Sequence, residues 1–257
     1  MKGPRQRRPA QGKDDKGLAR IAGLSAVSAL FANGPERVER LFFNERAKAQ
    51  VKAFYGELAR ARKPYRQVEA KELARIAGTP MHGGVVAIAR SLPVLPLDAA
   101  RARTWAQDGK LLLMLDGVGN PHNLGAIVRT AAFFGVPRIV LSDHPAQAAP
   151  SDASYRVAEG GFEFVRLFRT EGIAAALMTL RGAYRVVGAA PGKHTPPSAL
   201  RQAGKPVALI LGNEEDGLLR ATLNACDDIV AIPGAGRVQS LNVAATAAIL
   251  IHALTQG

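Results

Sequence analysis

The sequence predicts an α/β protein in which a mainly parallel sheet flanked by helices follows a smaller, basic α/β domain. Three observations carry this. From Leu111 onward, short apolar runs such as Leu111 to Leu115 and Val207 to Leu211 alternate with helical patterns, as strands buried on both faces do. Gly and polar residues follow these runs and precede the helices, which is the layout of βαβ units. The charge divides at the same place: residues 1–110 carry 22 Lys and Arg against 10 Asp and Glu, and residues 111–257 carry 12 against 11.

Taken in order, residues 1–17 are polar and basic with no apolar periodicity, so burial cannot repay the entropy of ordering and a disordered arm is expected. Residues 18–90 form the small domain. Its patterns read as a helix from Ile21 to Phe31, a strand from Val38 to Phe43, a helix from Glu45 to Arg62, a strand from Tyr65 to Val68, a helix from Lys71 to Ile76 and a strand from Val85 to Ile88. Residues 91–110, with Pro93 and Pro96 and no clear period, read as a linker. In residues 111–257 the strand Leu111 to Leu115 leads to a helix from Leu124 to Phe134, for which Asn123 is the expected N-cap, and then to a strand from Arg138 to Ser142. A strand near Phe162 to Phe168, a helix from Glu171 to Leu180, strands from Tyr184 to Ala189, Val207 to Leu211 and Ile229 to Ile232, and a helix from about Leu241 to Leu254 complete the pattern. That last helix is apolar or small almost all round, so it must be covered all round, by the sheet on one side and a second subunit on the other, with full burial within a monomer as the alternative.

A chain of 257 residues with a net charge of +13 concentrated in its front half suits a polyanionic partner, and nucleic acid fits better than a membrane surface because no apolar stripe accompanies the charge. No apolar run reaches the roughly 18 residues of a membrane span, and the N-terminus shows no secretory pattern. The lone Cys226 excludes a disulfide framework, and His82, His122, His144, His194 and His252 have no metal-binding spacing. A cytoplasmic protein with no metal and no membrane partner is therefore expected.

The chemistry concentrates where strands end. Leu211-Gly212-Asn213-Glu214-Glu215-Asp216-Gly217-Leu218 follows one strand, and Ile232-Pro233-Gly234-Ala235-Gly236-Arg237-Val238-Gln239-Ser240-Leu241-Asn242-Val243 follows another. Ligands of open α/β sheets bind at strand ends, so these runs are read as a cofactor and catalytic pocket. Asn123, Arg129, Glu214, Ser240 and Asn242 lie at strand ends or helix starts of one sheet and are expected to converge. Taken alone, Arg129 could be a structural tie, and Glu215 and Asp216 a solvated acidic turn. The run Gly117-x-Gly119 ahead of a helix has the outline of a dinucleotide fingerprint, but His122 stands at the third glycine and Pro121 interrupts the turn, so NAD fits badly.

With these residues in view, the sequence resembles the SpoU (TrmH) family of RNA ribose methyltransferases in the SPOUT superfamily. Asn123 to Ala131, Leu211 to Leu218, and Ile232-Pro233 through Val243 match its three motifs in order, and residues near 18–90 resemble its front substrate-binding domain. The resemblance implies a homodimer with a deep trefoil knot, S-adenosylmethionine as cofactor, and methyl transfer to a ribose 2′-hydroxyl of tRNA or rRNA. It implies that Leu211, Gly212, Asn213, Gly217, Ile232, Gly236 and Leu241 hold the cofactor. In that frame Arg129 stabilises the developing alkoxide and an adjoining phosphate, since a guanidinium rarely gives up its proton. Asn123, Ser240 and Asn242 orient the hydroxyl and its neighbours, and Glu214 fixes Arg129 or the pocket edge. Gly234 and Ala244 depart from the residues common at those positions, as Asn120-Pro121 does from Asp-Pro. A non-catalytic RNA-binding or assembly factor with the same fold is the alternative. If the basic front half binds RNA through phosphates, affinity for RNA falls steeply between 50 mM and 200 mM salt in a filter-binding titration; a salt-independent affinity would contradict this.

Overall fold

The computed structural model describes residues 17–192, 195–200 and 204–256. Apart from Gly17, the basic arm expected at 1–17 lies outside the described residues, as does His194. The front of the chain forms a four-stranded sheet of β1 (Leu18–Ala22), β2 (Val38–Phe43), β3 (Tyr65–Gln67) and β4 (Val85–Arg90), in the order β1-β4-β2-β3. Around it lie α1 (Leu24–Asn33), α2 (Lys48–Arg60) and α3 (Ala70–Ala77).

The helix expected from Ile21 is divided at Gly23. Its φ of 99° is accessible to glycine at little cost, and its N–H donates to the Val85 carbonyl at 3.0 Å. The residues ahead of it pair with β4 as a strand, from Leu18 opposite Arg90 to Ala22 opposite Val86. A short apolar run does not distinguish strand from helix by period; here the partner strand decides.

The rear sheet contains seven parallel strands in the order β11-β9-β10-β6-β7-β8-β5: β5 (Val94–Pro96), β6 (Leu112–Asp116), β7 (Arg138–Leu141), β8 (Arg166–Arg169), β9 (Arg185–Ala189), β10 (Val207–Gly212) and β11 (Asp228–Val230). Residues 91–110, read as a linker, contribute β5, which pairs in parallel with β8 from Val94 opposite Leu167, followed by α4 (Ala99–Ala102) and a 3-10 turn. The prolines that suggested a connector are compatible with an edge strand, which has one unpaired side.

Alternation along the central strands explains why both sheet faces are covered. Leu113, Leu115, Ile139, Leu141, Leu209 and Leu211 pack in one apolar layer, and Leu112, Met114, Val140, Ala208 and Ile210 in the other. The first layer lies beneath α5 (Pro121–Phe133), α6 (Asp152–Ala158) and α10 (Val243–Thr255), and it continues without a break into Val27, Leu30 and Leu41 of the small domain. The second lies against α4, α7 (Ile173–Leu180) and α9 (Arg220–Asn224). Helix α8 (Pro197–Leu200) touches α10. In α10, Ala247, Leu250 and Ile251 are buried, whereas Ile249 and, just before the helix, Leu241 remain exposed, as does Phe133 of α5, at 82%.

Polar contacts fix the small domain on the sheet. Arg37 Nη2 donates to both carboxylate oxygens of Glu163, at 2.5 and 2.6 Å, with side chains only 11% and 4% exposed. Burial raises the Glu163 carboxyl above its ordinary value, with Arg37 opposing that shift. The Arg20 N–H and guanidinium both donate to Asp152 at 2.8 Å, and Leu92 N–H donates to the Tyr155 hydroxyl at 3.0 Å. Removing one member of a buried pair leaves a charge without a partner, so Arg37→Ala is expected to cost about 3–5 kcal/mol of stability. The more exposed Arg20 pair is worth at most about 1 kcal/mol. Urea unfolding of Arg37→Ala and Arg20→Ala side by side checks the ranking, and equal losses would refute it.

Candidate active site

β10 lies beside β6 with Gly212 opposite Asp116, so the two strands end together and deliver their following loops to one place. After β10 the chain turns tightly: Asn213 and Gly217 exchange both backbone hydrogen bonds at 3.0 Å, and Gly217 has φ 71°. A Cβ at Gly212 would come within 2.4 Å of the Gly217 carbonyl carbon, so glycine is required here by the turn's own backbone. Asn213 stabilises the turn from within. Its Oδ1 accepts from the N–H groups of Glu215 and Asp216, and its Nδ2 reaches the Gly117 carbonyl at 2.8 Å.

After β6, Gly117 and Val118 donate to Gln147 Oε1 at 3.0 and 3.1 Å, and Gln147 Nε2 returns a bond to the Val118 carbonyl. The loop thus presents its next N–H groups to Glu214. Glu214 Oε2 accepts from Gly119 N–H at 3.0 Å, and Oε1 accepts from Asn120 N–H at 3.3 Å and Asn123 Nδ2 at 2.8 Å. Asn242 Nδ2 in turn donates to Asn123 Oδ1 at 3.1 Å, and Asn242 Oδ1 caps α10 by accepting from Ala244 N–H. A single chain of hydrogen bonds therefore joins the three motifs through Glu214, Asn123 and Asn242. Ser240 lies exposed two residues before Asn242.

Two expectations are corrected. The N-cap of α5 is Asn120, whose Oδ1 accepts from His122 N–H, with Pro121 in the first turn. Pro121 begins the helix because its φ is already helical and its missing N–H would have had no partner there. Asn123 is thereby freed from capping and turned to Glu214. Arg129 does not join this cluster. Six residues along a helix turn a side chain about 120° from Asn123 and carry it about 9 Å further. Its Nη1 instead lies 3.0 Å from Glu159 Oε1, beyond the end of α6. Glu214 anchors Asn123 and the Gly119–Asn120 backbone.

Burial acts to raise the Glu214 carboxyl, but the hydrogen bonds from Asn123, Gly119 and Asn120 prevail and hold it below the ordinary value. Burial pushes the Cys226 thiol up to about 11, too high for a nucleophile, and its Sγ donates to the Thr222 carbonyl. The Thr222 hydroxyl donates to the buried Asp116 at 2.7 Å, tying α9 to the end of β6. Sequence reading missed Gln147, Asp116 and Glu159. None belongs to a local pattern, and each acts through a partner distant in the chain or on another element.

The loop leading to α10 supplies the remaining surface. Ile232 is half-buried, Leu241 is exposed, and Gly236 adopts φ 73° with open space at its Cβ position. Among the described residues, the backbone groups of 233–241 make no backbone hydrogen bond, so they are available to a ligand. No group of His, Cys, Asp and Glu able to hold a metal occurs among the described residues, and no described helix is long and apolar enough to cross a membrane.

The parallel sheet, the tight turn after β10 and the carboxylate linking the ends of β6 and β10 define the class: the chain belongs to the SpoU rRNA methylase family, whose model matches residues 110–252. Residues 20–95 match a second model, RNA 2′-O ribose methyltransferase substrate binding. Among similar proteins, the 23S rRNA (guanosine-2′-O-)-methyltransferase RlmB of Haemophilus ducreyi is 33% identical over 241 residues, 92% of this chain and 96% of its own. RlmB of Pseudomonas putida is 35% identical over 248 residues, 93% and 97% of the two chains. An AdoMet-bound rRNA methyltransferase from Sinorhizobium meliloti shares the fold at a TM-score of 0.77 and 24% identity, covering 94% of this chain and 88% of its own.

Because its folded-state value is depressed, Glu214 contributes stability that is complete above the ordinary value of 4.5 and is lost as pH falls through the lowered one. Glu214→Gln is therefore expected to melt at a lower temperature than the parent at pH 7, and the gap should close as acid protonates Glu214. A gap unchanged down to pH 3 would contradict the network.

Proposed function

We propose that this protein transfers the methyl group of S-adenosylmethionine to a ribose 2′-hydroxyl of RNA, with ribosomal RNA as the substrate class its relatives favour. The observation that carries this is the hydrogen-bonded chain from Glu214 through Asn123 to Asn242, which links the three family motifs in one site. The cofactor suits the donor set present. Ile232 and Leu241 offer apolar surface for an adenine ring, and the backbone groups of 233–241 offer donors and acceptors for its edge. When bound, S-adenosylmethionine supplies an electrophilic methyl on a sulfonium whose charge disappears during transfer.

The chain's own residues do the rest. Asn123 and Asn242 are held by each other and by Glu214, so their remaining hydrogen-bonding capacity is preorganised for the sugar hydroxyl and its neighbours. Arg129, 57% exposed and standing outside this cluster, is open to the RNA backbone and bears the negative charge of a phosphate adjoining the modified ribose. Ser240 contributes a hydroxyl at the edge of the same site. The front domain supplies cationic surface for folded RNA, with Arg46, Lys52, Arg60 and Arg62 exposed on or near α2.

A homodimer completes this reading. Phe133 on α5, Ile249 on α10 and Leu241 just before it are exposed apolar residues, which a second copy would cover. The passage of the chain from β11 back to α10, which packs on α5, β10 and α8, fits the trefoil knot of the superfamily. The arrangement suits a protein that works on RNA in the cytoplasm.

Incubation with labelled S-adenosylmethionine and total RNA lacking its own modifications, followed by mapping of the label, tests the activity; label on a base would overturn it. Arg129→Ala is expected to lose methyl transfer by at least about a hundredfold, roughly 2.7 kcal/mol of transition-state stabilisation, while the elution volume on size exclusion stays that of the parent. Full activity in that variant would refute the role given to Arg129.

A further inference from the structure

The turn that closes α6 carries a residue no motif contains. Glu159 adopts φ 45° and ψ 43°, a left-handed conformation that disfavours side chains with a Cβ, and two glycines follow it. Retaining a glutamate at such a position points to a task for its side chain. Its carboxylate is the ion-pair partner of Arg129, Oε1 to Nη1 at 3.0 Å.

The backbone of this turn is held on both sides. A Cβ at Gly161 would come within 3.1 Å of the Arg129 Cα, so the turn touches α5 at the arginine's own backbone. A Cβ at Gly160 would come within 2.8 Å of the Ala29 Cβ, so α1 of the small domain closes the other side. One helical turn before Arg129, and on the same face of α5, a Cβ at Gly125 would come within 2.5 Å of the Ser154 carbonyl oxygen, so α5 and α6 meet backbone to backbone. Glu159 thus projects from a clamped backbone onto a guanidinium whose own backbone belongs to the same clamp.

We propose that Glu159 is the positioning residue for Arg129, orienting the guanidinium before RNA arrives. The proposal rests on the reading of Arg129 given above. The carboxylate meets the guanidinium at Nη1, and the five-donor fork has further N–H groups to offer an RNA phosphate. Fixing a long, half-exposed side chain in advance lowers the ordering cost of the reaction step, so the effect belongs in kcat.

Two variants of the full-length protein test it. Glu159→Gln keeps the shape and removes the charge; Glu159→Gly removes the side chain and relieves the left-handed backbone, so its melting temperature stays equal to or above that of the parent. At saturating RNA and S-adenosylmethionine, both are expected to lower kcat about tenfold or more with KM for RNA unchanged. In an Arg129→Lys background with measurable residual activity, Glu159→Gln is expected to cost less than in the parent. A kcat equal to the parent's in both folded variants, or a rise in kcat, overturns the proposal. If Arg129→Ala is itself fully active, the reading of Arg129 fails; if Arg129→Ala is inactive and both Glu159 variants retain parental kcat, the positioning role alone fails.

Discussion

The carboxylate of Glu214 is the interaction on which the site depends. It accepts two backbone N–H groups from the loop after β6 and one side-chain amide from the first turn of α5, while standing in the turn after β10. Two neighbouring parallel strands end at the same level, so their loops would otherwise be independent excursions over the sheet edge. A shared anion acceptor makes them one body. Asn242 joins through Asn123 and brings the start of α10 into the same arrangement.

Helix α5 is the element the rest is arranged around. Its first turn faces Glu214, its Gly125 lets α6 approach to backbone contact, and its Arg129 meets the turn after α6. Its far end exposes Phe133. Proximity at Gly125 depends on the missing side chain: an alanine there would push α6 outward and carry Glu159 with it.

The front domain is built into the rear one more firmly than a linker reading implies. Its apolar side chains continue the layer beneath α5 and α6, and Arg37 with Glu163 forms a buried ion pair across the junction. Residues 91–110 return to the large sheet as its edge strand. A basic domain held this way presents its charge at a set distance from the site.

Alternation, apolar runs and glycine punctuation are local, and they were enough for the parallel sheet, most helices and the positions of the three polar clusters. The meeting of Glu214 with Asn123 and Asn242 was legible as a possibility because all three stand at strand ends or helix starts. Their actual bonds, the cap at Asn120, the strand before Gly23 and the turning of Arg129 to Glu159 were not legible. The order of residues determined where chemistry could stand: which side chains lie at strand ends and which faces are apolar. Tertiary structure alone decided which of those groups touch, because hydrogen bonds and ion pairs require ångström-scale alignment between segments as much as 132 residues apart. Such alignment is set by strand order and helix packing, which no local pattern encodes.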